Sequence, residues 1–278
     1  AKVDAATGAG PQVGASLAGA EFTCVSQSTP GWTHTLTTDE DGWAILTDIP
    51  LGTFTIYESR APEGYLPSDE TWSYTIGADQ LGDVGVVELE RRIPNTPIAF
   101  DLEISKFKDY GNSDGSGIEQ PAEGVVFEVV SNTSQQVVGT LTTNIYGFAS
   151  TKDQAGAWFG AGGRPDGVSG TIPYDRAGYT VREVAGTVPD GFKQAGEWTI
   201  TAEQISDGAE LQYIVDNHAL STHLQIVKRD AQTGSAVPLA GFTFQLLNGN
   251  REPISQTSWH PAHAVMNTFT SDETGTVT

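Results

Sequence analysis

Short runs in which apolar and polar residues alternate make up most of the chain, separated by glycine, proline, asparagine and aspartate. Residues 52–58 and 178–183 are typical runs, rich in β-branched and aromatic residues. A period of two with these residue types predicts half-buried strands, and the intervening residues predict tight turns. Helical periodicity is weak throughout, and only residues 202–209 are compatible with about one helical turn. We therefore expect an all-β protein built from Ig-like or prealbumin-like antiparallel β-sandwiches.

Three segments of the chain share the same order of short sequence boxes. Each has a lysine strand, a Gly-x-x-Phe strand start and a turn ending in glycine. The first two continue with a strand ending in glutamate, a Pro-x-Gly-aromatic turn, a tryptophan strand and a last strand ending in asparagine. Such repetition predicts domains at 1–98 and 99–219, the second with a longer loop at 153–173, and the N-terminal part of a third domain at 220–278. We expect the chain to be an internal fragment of a longer protein.

Side-chain parity places three polar residues on core-facing strand positions in each complete repeat. They are a lysine on the first strand, a glutamate before the Pro-x-Gly turn and an asparagine on the last strand. The two sets are Lys2, Glu58 and Asn95, and Lys106, Glu183 and Asn217. In the third repeat Lys228 takes the lysine position, and its partners would lie outside the chain.

Two interpretations of these sets remain open, because buried lysine and glutamate are costly unless paired. The first is a structural ion pair to which the asparagine is hydrogen-bonded. The second is a self-formed covalent bond. Burial favours a neutral, nucleophilic lysine and a protonated glutamate that can polarise the asparagine carbonyl. Attack would then form a Lys–Asn amide and release ammonia.

The glutamate box resembles that of collagen-adhesin B-type repeats, the SpaA-type prealbumin-like domains of Gram-positive surface adhesins and pilins. That family's box reads Tyr-x-x-x-Glu-x-x-Ala-Pro-x-Gly-Tyr, and residues 58–65 fit it closely, with Phe54 in place of the first tyrosine. The second repeat has Tyr179 and Glu183, but it inserts two residues before Pro189 and lacks the Ala-Pro pair. The resemblance covers nearly the whole chain.

This resemblance implies which residues would be joined. Lys2 would be linked to Asn95 with assistance from Glu58, and Lys106 to Asn217 with assistance from Glu183. Lys108 also has the correct parity to replace Lys106, but the Ile-x-Lys pattern of the third repeat favours Lys106.

Composition narrows the possible partners. With 35 acidic and 14 basic residues the net charge is −21, which disfavours nucleic acid and contact with an anionic membrane. Cys24 is the only cysteine, so an intrachain disulfide is impossible, and its strand position predicts a small buried hydrophobe. We predict no metal site and no cofactor. His260, His263 and the Asn-Ser-Asp-Gly run at 112–115 are interpreted as parts of ordinary loops.

The prediction for function is a structural stalk segment of a cell-wall-anchored adhesin or pilus subunit, outside the cell, that is not an enzyme beyond one round of self-crosslinking. Its partners would be neighbouring domains of the same protein. The alternative is a module that binds a host protein or glycan through the long loops around Trp158 and Trp259. Polymerisation through a shaft lysine also stays open, although a Tyr-Pro-Lys pilin motif and a Leu-Pro-x-Thr-Gly sorting signal are both missing from these residues.

Overall fold

The regular structure consists almost entirely of β-strands. The structure is a computed structural model that describes residues 1–80, 91–110, 119–154, 156–220, 224–258 and 264–277. Its helical segments in these ranges are short 3-10 turns: Ala78–Gln80, Thr151–Asp153, Ala185–Thr187 and Ala202–Gln204. None of the helices described is long and apolar enough to cross a membrane. The prediction of an all-β protein is confirmed.

The first repeat contains one four-stranded antiparallel sheet and one parallel strand pair. The strands are β1 (Lys2–Asp4), β2 (Glu21–Ser26), β3 (Thr33–Thr37), β4 (Gly52–Arg60), β5 (Thr71–Ile76) and β6 (Ile93–Asn95). The large sheet has the order β3-β2-β4-β5, and β1 pairs with β6 in parallel. Phe22, Trp72 and Ile93 form the core between them. The first and last strands of the repeat are therefore neighbours, which brings the lysine strand beside the asparagine strand.

The second repeat has two sheets and the larger apolar core. Its strands are β7 (Ala99–Asp109), β8 (Glu119–Pro121), β9 (Val126–Ser131), β10 (Val137–Thr142), β11 (Phe148–Ser150), β12 (Ile172–Pro173), β13 (Tyr179–Glu183), β14 (Trp198–Ile200) and β15 (Glu210–His218). One sheet has the order β10-β9-β13-β14, and in the other β7 pairs with β8, β11, β12 and β15. Phe100, Phe127 and Tyr179 are buried in the core between the sheets.

The third repeat is built from short strand pairs. They are β16 (Ile226–Val227) with β21 (Thr276–Val277), β17 (Thr243–Phe244) with β20 (Phe269–Thr270), and β18 (Gln256–Ser258) with β19 (Ala264–Met266). Among the side chains described from residue 224 onward, only Ser271 and Val277 are buried. Leu224 and Lys228 are exposed, whereas Lys2 and Lys106, at the lysine positions of the first two repeats, are buried.

The described residues divide into two units. The first comprises 1–106, 122–187 and 195–215, and the second comprises 107–121, 188–194 and 216–278. The first unit therefore contains the first repeat together with most of the second. The boundaries at 98 and 219 remain a prediction.

The same turn recurs in all three repeats. The Asp39 carboxylate accepts hydrogen bonds from the backbone amides of Asp41 and Trp43. Asn144 and Asp272 make the equivalent pairs of bonds. Each turn ends on a glycine with positive φ: Gly42 (78°), Gly147 (72°) and Gly275 (77°). Only glycine adopts this conformation without strain, which explains the recurring Thr/Ser-Asp/Asn-x-x-Gly box.

Candidate functional site

In the first repeat, the lysine, glutamate and asparagine predicted from strand parity meet inside the domain. Nζ of Lys2 lies 3.0 Å from Oε1 of Glu58, and neither side chain is exposed. Nδ2 of Asn95 donates a hydrogen bond of 2.8 Å to Oε2 of Glu58. Strands β1, β4 and β6 each contribute one of these residues, so the group ties the beginning, middle and end of the repeat together.

Burial changes the proton affinity of Lys2. Desolvation lowers the pKa of its amine, and the attraction of Glu58 opposes this only in part. No described residue accepts a well-aligned hydrogen bond from Nζ, which lies over the ring of Phe22 at 5.4 Å from its centroid. The amine is therefore closer to its neutral, nucleophilic form than a lysine in water.

Backbone groups following β4 hold the other two side chains. The amide of Ser68 donates a 2.7 Å hydrogen bond to Oε2 of Glu58, and the carbonyl of Leu66 accepts one of 2.6 Å from Nδ2 of Asn95. Two acceptors thus face Nδ2. The expectation that Glu58 contacts the asparagine oxygen is wrong for this arrangement, because only the amide nitrogen can donate to both acceptors. Oδ1 of Asn95 is buried and accepts no hydrogen bond from the described residues.

The second repeat brings its lysine and glutamate together more loosely. Nζ of Lys106 lies 3.9 Å from Oε1 of Glu183, and both side chains are fully buried. Nζ also donates a hydrogen bond of 3.2 Å to the carbonyl of Val215. Oε2 of Glu183 accepts a hydrogen bond of 2.7 Å from the amide of Ala195. Lys106 thus donates to a backbone carbonyl as well as facing its glutamate, whereas no described residue accepts such a hydrogen bond from Lys2.

The two-residue insertion in the second glutamate box leaves the glutamate's backbone donor in place. The donor follows Glu58 by 10 residues in the first repeat and follows Glu183 by 12 residues in the second. The extra length is accommodated near the 3-10 turn Ala185–Thr187. Asn217, which lies in the second unit, is buried and donates from Nδ2 to the carbonyl of Lys193, as Asn95 does to Leu66.

The remaining candidates have different environments. Lys108 is half-buried, whereas Lys106 is fully buried. Lys228 is exposed, with Nζ 5.4 Å from the ring of Phe242. Cys24 is buried, as predicted, and burial raises the pKa of its thiol. Trp259, His260, His263 and residues 112–115 lie outside the described residues.

The long loop at 153–173 packs against its own unit. Nε1 of Trp158 donates to the carbonyl of Ala161, and Phe159 packs on the core of the second repeat beside Gly139. Ala161 itself is hydrogen-bonded to Gln12 of the first repeat. Phe159 therefore packs within its unit, and Trp158 is hydrogen-bonded within the loop.

Part of the chain matches the model of a known family. Residues 2–89 match the family model described as SpaA, prealbumin-like fold domain. This part of the chain is therefore similar to SpaA-type prealbumin-like domains. The match includes β1 and the glutamate strand β4, which carry Lys2 and Glu58, and it ends before β6 with Asn95. A search of curated proteins gives no match.

Several solved structures are similar to this chain at low sequence identity. The Bacillus anthracis TIE protein is 18% identical with a TM-score of 0.52, over 94% of this chain and 40% of that one. GBS52, the minor pilin of Streptococcus agalactiae, is 15% identical with a TM-score of 0.30, over 76% and 87% of the two chains. The C-terminal fragment of the pilus adhesin SpaC from Lactobacillus rhamnosus GG is 12% identical with a TM-score of 0.39, over 74% and 91%. The chain thus spans 40% of the length of the TIE protein.

Proposed function

We propose that this chain is a stalk segment of a bacterial surface adhesin or pilus subunit, rigidified by self-formed bonds from Lys2 to Asn95 and from Lys106 to Asn217. The buried contact among Lys2, Glu58 and Asn95 carries the proposal. An ion pair alone is a poor reason to bury a lysine, since replacing such a pair by apolar residues is often neutral or stabilising. A covalent product removes both charges from the interior.

The proposed reaction uses only groups of this site. Neutral Nζ of Lys2 attacks Cγ of Asn95, forming the Nζ–Cγ bond. The Cγ–Nδ2 bond then breaks, and a proton from Nζ passes through the Glu58 carboxyl to Nδ2, which leaves as ammonia. The contact of Glu58 with Nδ2 supports this proton transfer.

The role of these bonds is mechanical. Each one ties the first strand of a domain to its last, so that tension along the chain bypasses most of the domain. It also restricts the unfolded chain, and by analogy with a disulfide that closes a loop of domain size it contributes about 4–5 kcal/mol to stability. The protein acts once on itself and turns over no substrate. The resemblance of the glutamate box to wall-anchored adhesins and pilins supports a location on the cell surface.

A ligand-binding function of the long loop has less support. Trp158 and Phe159 are engaged in contacts within their own unit, and Trp259 lies outside the described residues. Host proteins and glycans remain candidate partners of the longer protein, and binding lost on Trp158→Ala or Trp259→Ala in a glycan array would identify the loops as the contact.

The mass of the intact chain tests directly whether the two bonds have formed. We expect purified chain to be lighter than its sequence by two ammonia equivalents, and a tryptic digest to contain branched peptides joining Lys2 to Asn95 and Lys106 to Asn217. The double variant Asn95→Ala and Asn217→Ala is the control, and it should lose no ammonia. An unshifted mass in folded parent protein would leave only the ion-pair interpretation.

A further inference from the structure

A buried glutamine links the first domain to the long loop of the second repeat. The Gln12 side chain is 2% exposed. Its Oε1 accepts a 2.8 Å hydrogen bond from the Ala161 amide, and its Nε2 donates one of 3.2 Å to the Ala161 carbonyl. All these residues lie within the first unit. The side chain of Gln12 is thus hydrogen-bonded to both the backbone amide and the backbone carbonyl of Ala161.

Glycine allows the loop to approach this closely. A Cβ at Gly162 would collide with the carbonyl oxygen of Ala6, and one at Gly160 would collide with Oε1 of Gln12. The glycine-rich run at 160–163 therefore has a packing role in the first unit. Gly163 also donates a long hydrogen bond of 3.4 Å to the Ala6 carbonyl.

From Gln12 the hydrogen bonds continue into strand β1. Nε2 of Gln12 donates to Oδ1 of Asp4 at 3.0 Å, and the backbone amide of Gln12 donates to the hydroxyl of Tyr65 at 3.0 Å. That hydroxyl donates to Oδ2 of Asp4 at 2.9 Å. Asp4 is fully buried and lies two residues after Lys2. Gln12 therefore joins the strand of the nucleophile to the Pro-x-Gly-Tyr turn.

The same turn positions the asparagine. Leu66, next to Tyr65, accepts the hydrogen bond from Nδ2 of Asn95, and the Leu66 amide donates to the Thr96 carbonyl. The backbone carbonyl of Asn95 accepts a hydrogen bond from the amide of Ala5, which follows strand β1. Both reacting residues are thus attached to backbone that the Gln12 network holds.

Two positions of this network are occupied by different residue types in the second repeat. Phe192 occupies the position of Tyr65 and has no hydroxyl, and Lys108 occupies the position of Asp4. Its crosslink therefore provides an internal control within the same chain.

We propose that Gln12 is a positioning residue for the first-domain crosslink, and that docking of the second repeat's loop at Ala161 sets the distance between Lys2 and Asn95. The inference rests on the proposed crosslinking. It implies an order of events, since the first domain completes its bond efficiently only after the loop of the second repeat has folded against it.

The test follows both bonds during a pulse of cell-free synthesis of the full chain, by mass spectrometry of the two branched peptides. In Gln12→Ala we expect the Lys2–Asn95 bond to form roughly tenfold more slowly, because small displacements of reacting atoms are costly. The Lys106–Asn217 bond should keep the parent rate. Gln27→Ala is the matched control: it makes the same substitution at a glutamine of the first repeat and removes an exposed 2.7 Å hydrogen bond from Nε2 to Oγ1 of Thr55, outside the Gln12 network, and it should alter neither rate.

A second variant separates positioning from a general loss of stability. In Gln12→Glu the introduced carboxyl faces Asp4 and the backbone of Ala161. Burial and the Asp4 charge would raise its pKa, so it becomes neutral as the pH falls. The neutral acid can accept from Ala161 and donate to Asp4, and the ratio of its first-bond rate to that of the parent should therefore rise toward low pH.

The outcomes are distinct. A first bond formed at the parent rate in Gln12→Ala, an equal slowing of both bonds, or a pH-independent ratio in Gln12→Glu would each overturn the positioning role. If the parent chain forms neither bond, the proposed crosslinking itself is wrong. Because this is seen in the parent chain without any variant, it cannot be confused with failure of the positioning role.

Discussion

The two buried lysine–glutamate pairs of this chain have the same plan but different geometry. Lys2 lies 3.0 Å from its glutamate and has no other well-aligned polar partner among the described residues. Lys106 lies 3.9 Å from its glutamate and donates to the Val215 carbonyl as well. In both sites a backbone amide following the glutamate strand holds Oε2 of the glutamate.

This difference shows which part of the site tolerates variation. The glutamate box of the second repeat departs from the family pattern by two residues, yet the backbone donor to the glutamate is retained. The surroundings of the lysine differ more between the two repeats, because they depend on the strands that pack around it. We therefore expect loss of the glutamate to destabilise the two repeats to different degrees.

The largest effect should come from removing the glutamates. Glu58→Ala should abolish the first bond, which costs about 4–5 kcal/mol by the disulfide analogy, and it leaves Lys2 buried without a counter-charge. Glu183→Ala should abolish the second bond, but at a smaller total cost, because Lys106 keeps the Val215 carbonyl. Urea unfolding combined with intact mass measures both effects, and each variant should lose one ammonia equivalent instead of two.

Glu21→Ala is the matched control for these variants. Glu21 forms a partly exposed ion pair with Arg60 in the same sheet as Glu58. Such pairs contribute about 0.2–1 kcal/mol, so stability should change little and both bonds should form. Loss of both ammonia equivalents in Glu58→Ala would remove this residue from the mechanism.

The identity of the second nucleophile gives the next largest effect. Lys106→Ala should prevent the second bond, whereas Lys108→Ala should leave both bonds intact, because Lys106 is buried against Glu183 and Lys108 is half-buried. Peptide mapping of the branched product distinguishes the two. A branch through Lys108 would shift the reactive position by two residues along β7.

A smaller, graded effect is expected from pH. The neutral amine is the nucleophile, and desolvation lowers the pKa of Lys2 from the ordinary value of 10.5. The neutral fraction therefore rises with pH at values below those needed by a lysine in water, and the first bond should form faster as the pH is raised from neutral toward 10.5. Rates measured on freshly synthesised chain would contradict this if they stayed flat until the ordinary lysine pKa.

The smallest effect is expected at the third lysine. Lys228 is exposed, so Lys228→Ala should change the stability of the chain by less than about 0.5 kcal/mol. An amine-reactive reagent should label Lys228 readily and leave Lys2 and Lys106 unlabelled. Protection of Lys228 to the same degree would show that it is buried in solution.

Several features of this protein are determined by local sequence. Alternation of apolar and polar residues is sufficient to predict the strands, because side chains point to opposite faces of a strand in turn. The same parity identifies Lys2, Glu58 and Asn95 as core-facing, and the structure buries all three. The turn box ending at Gly42 is equally local, since its hydrogen bonds join residues at most four positions apart.

Tertiary structure decided the rest, because it depends on contacts between residues far apart in sequence. Parity cannot say which atom of Asn95 faces Glu58, and the Leu66 carbonyl determines this. Parity gives Lys228 the position of Lys2 and Lys106, but a side chain is buried only where other strands cover it, and the described residues leave Lys228 exposed. The pairing of Gln12 with Ala161 bridges 149 positions. Neither residue belongs to a repeated box, so only folding brings them together.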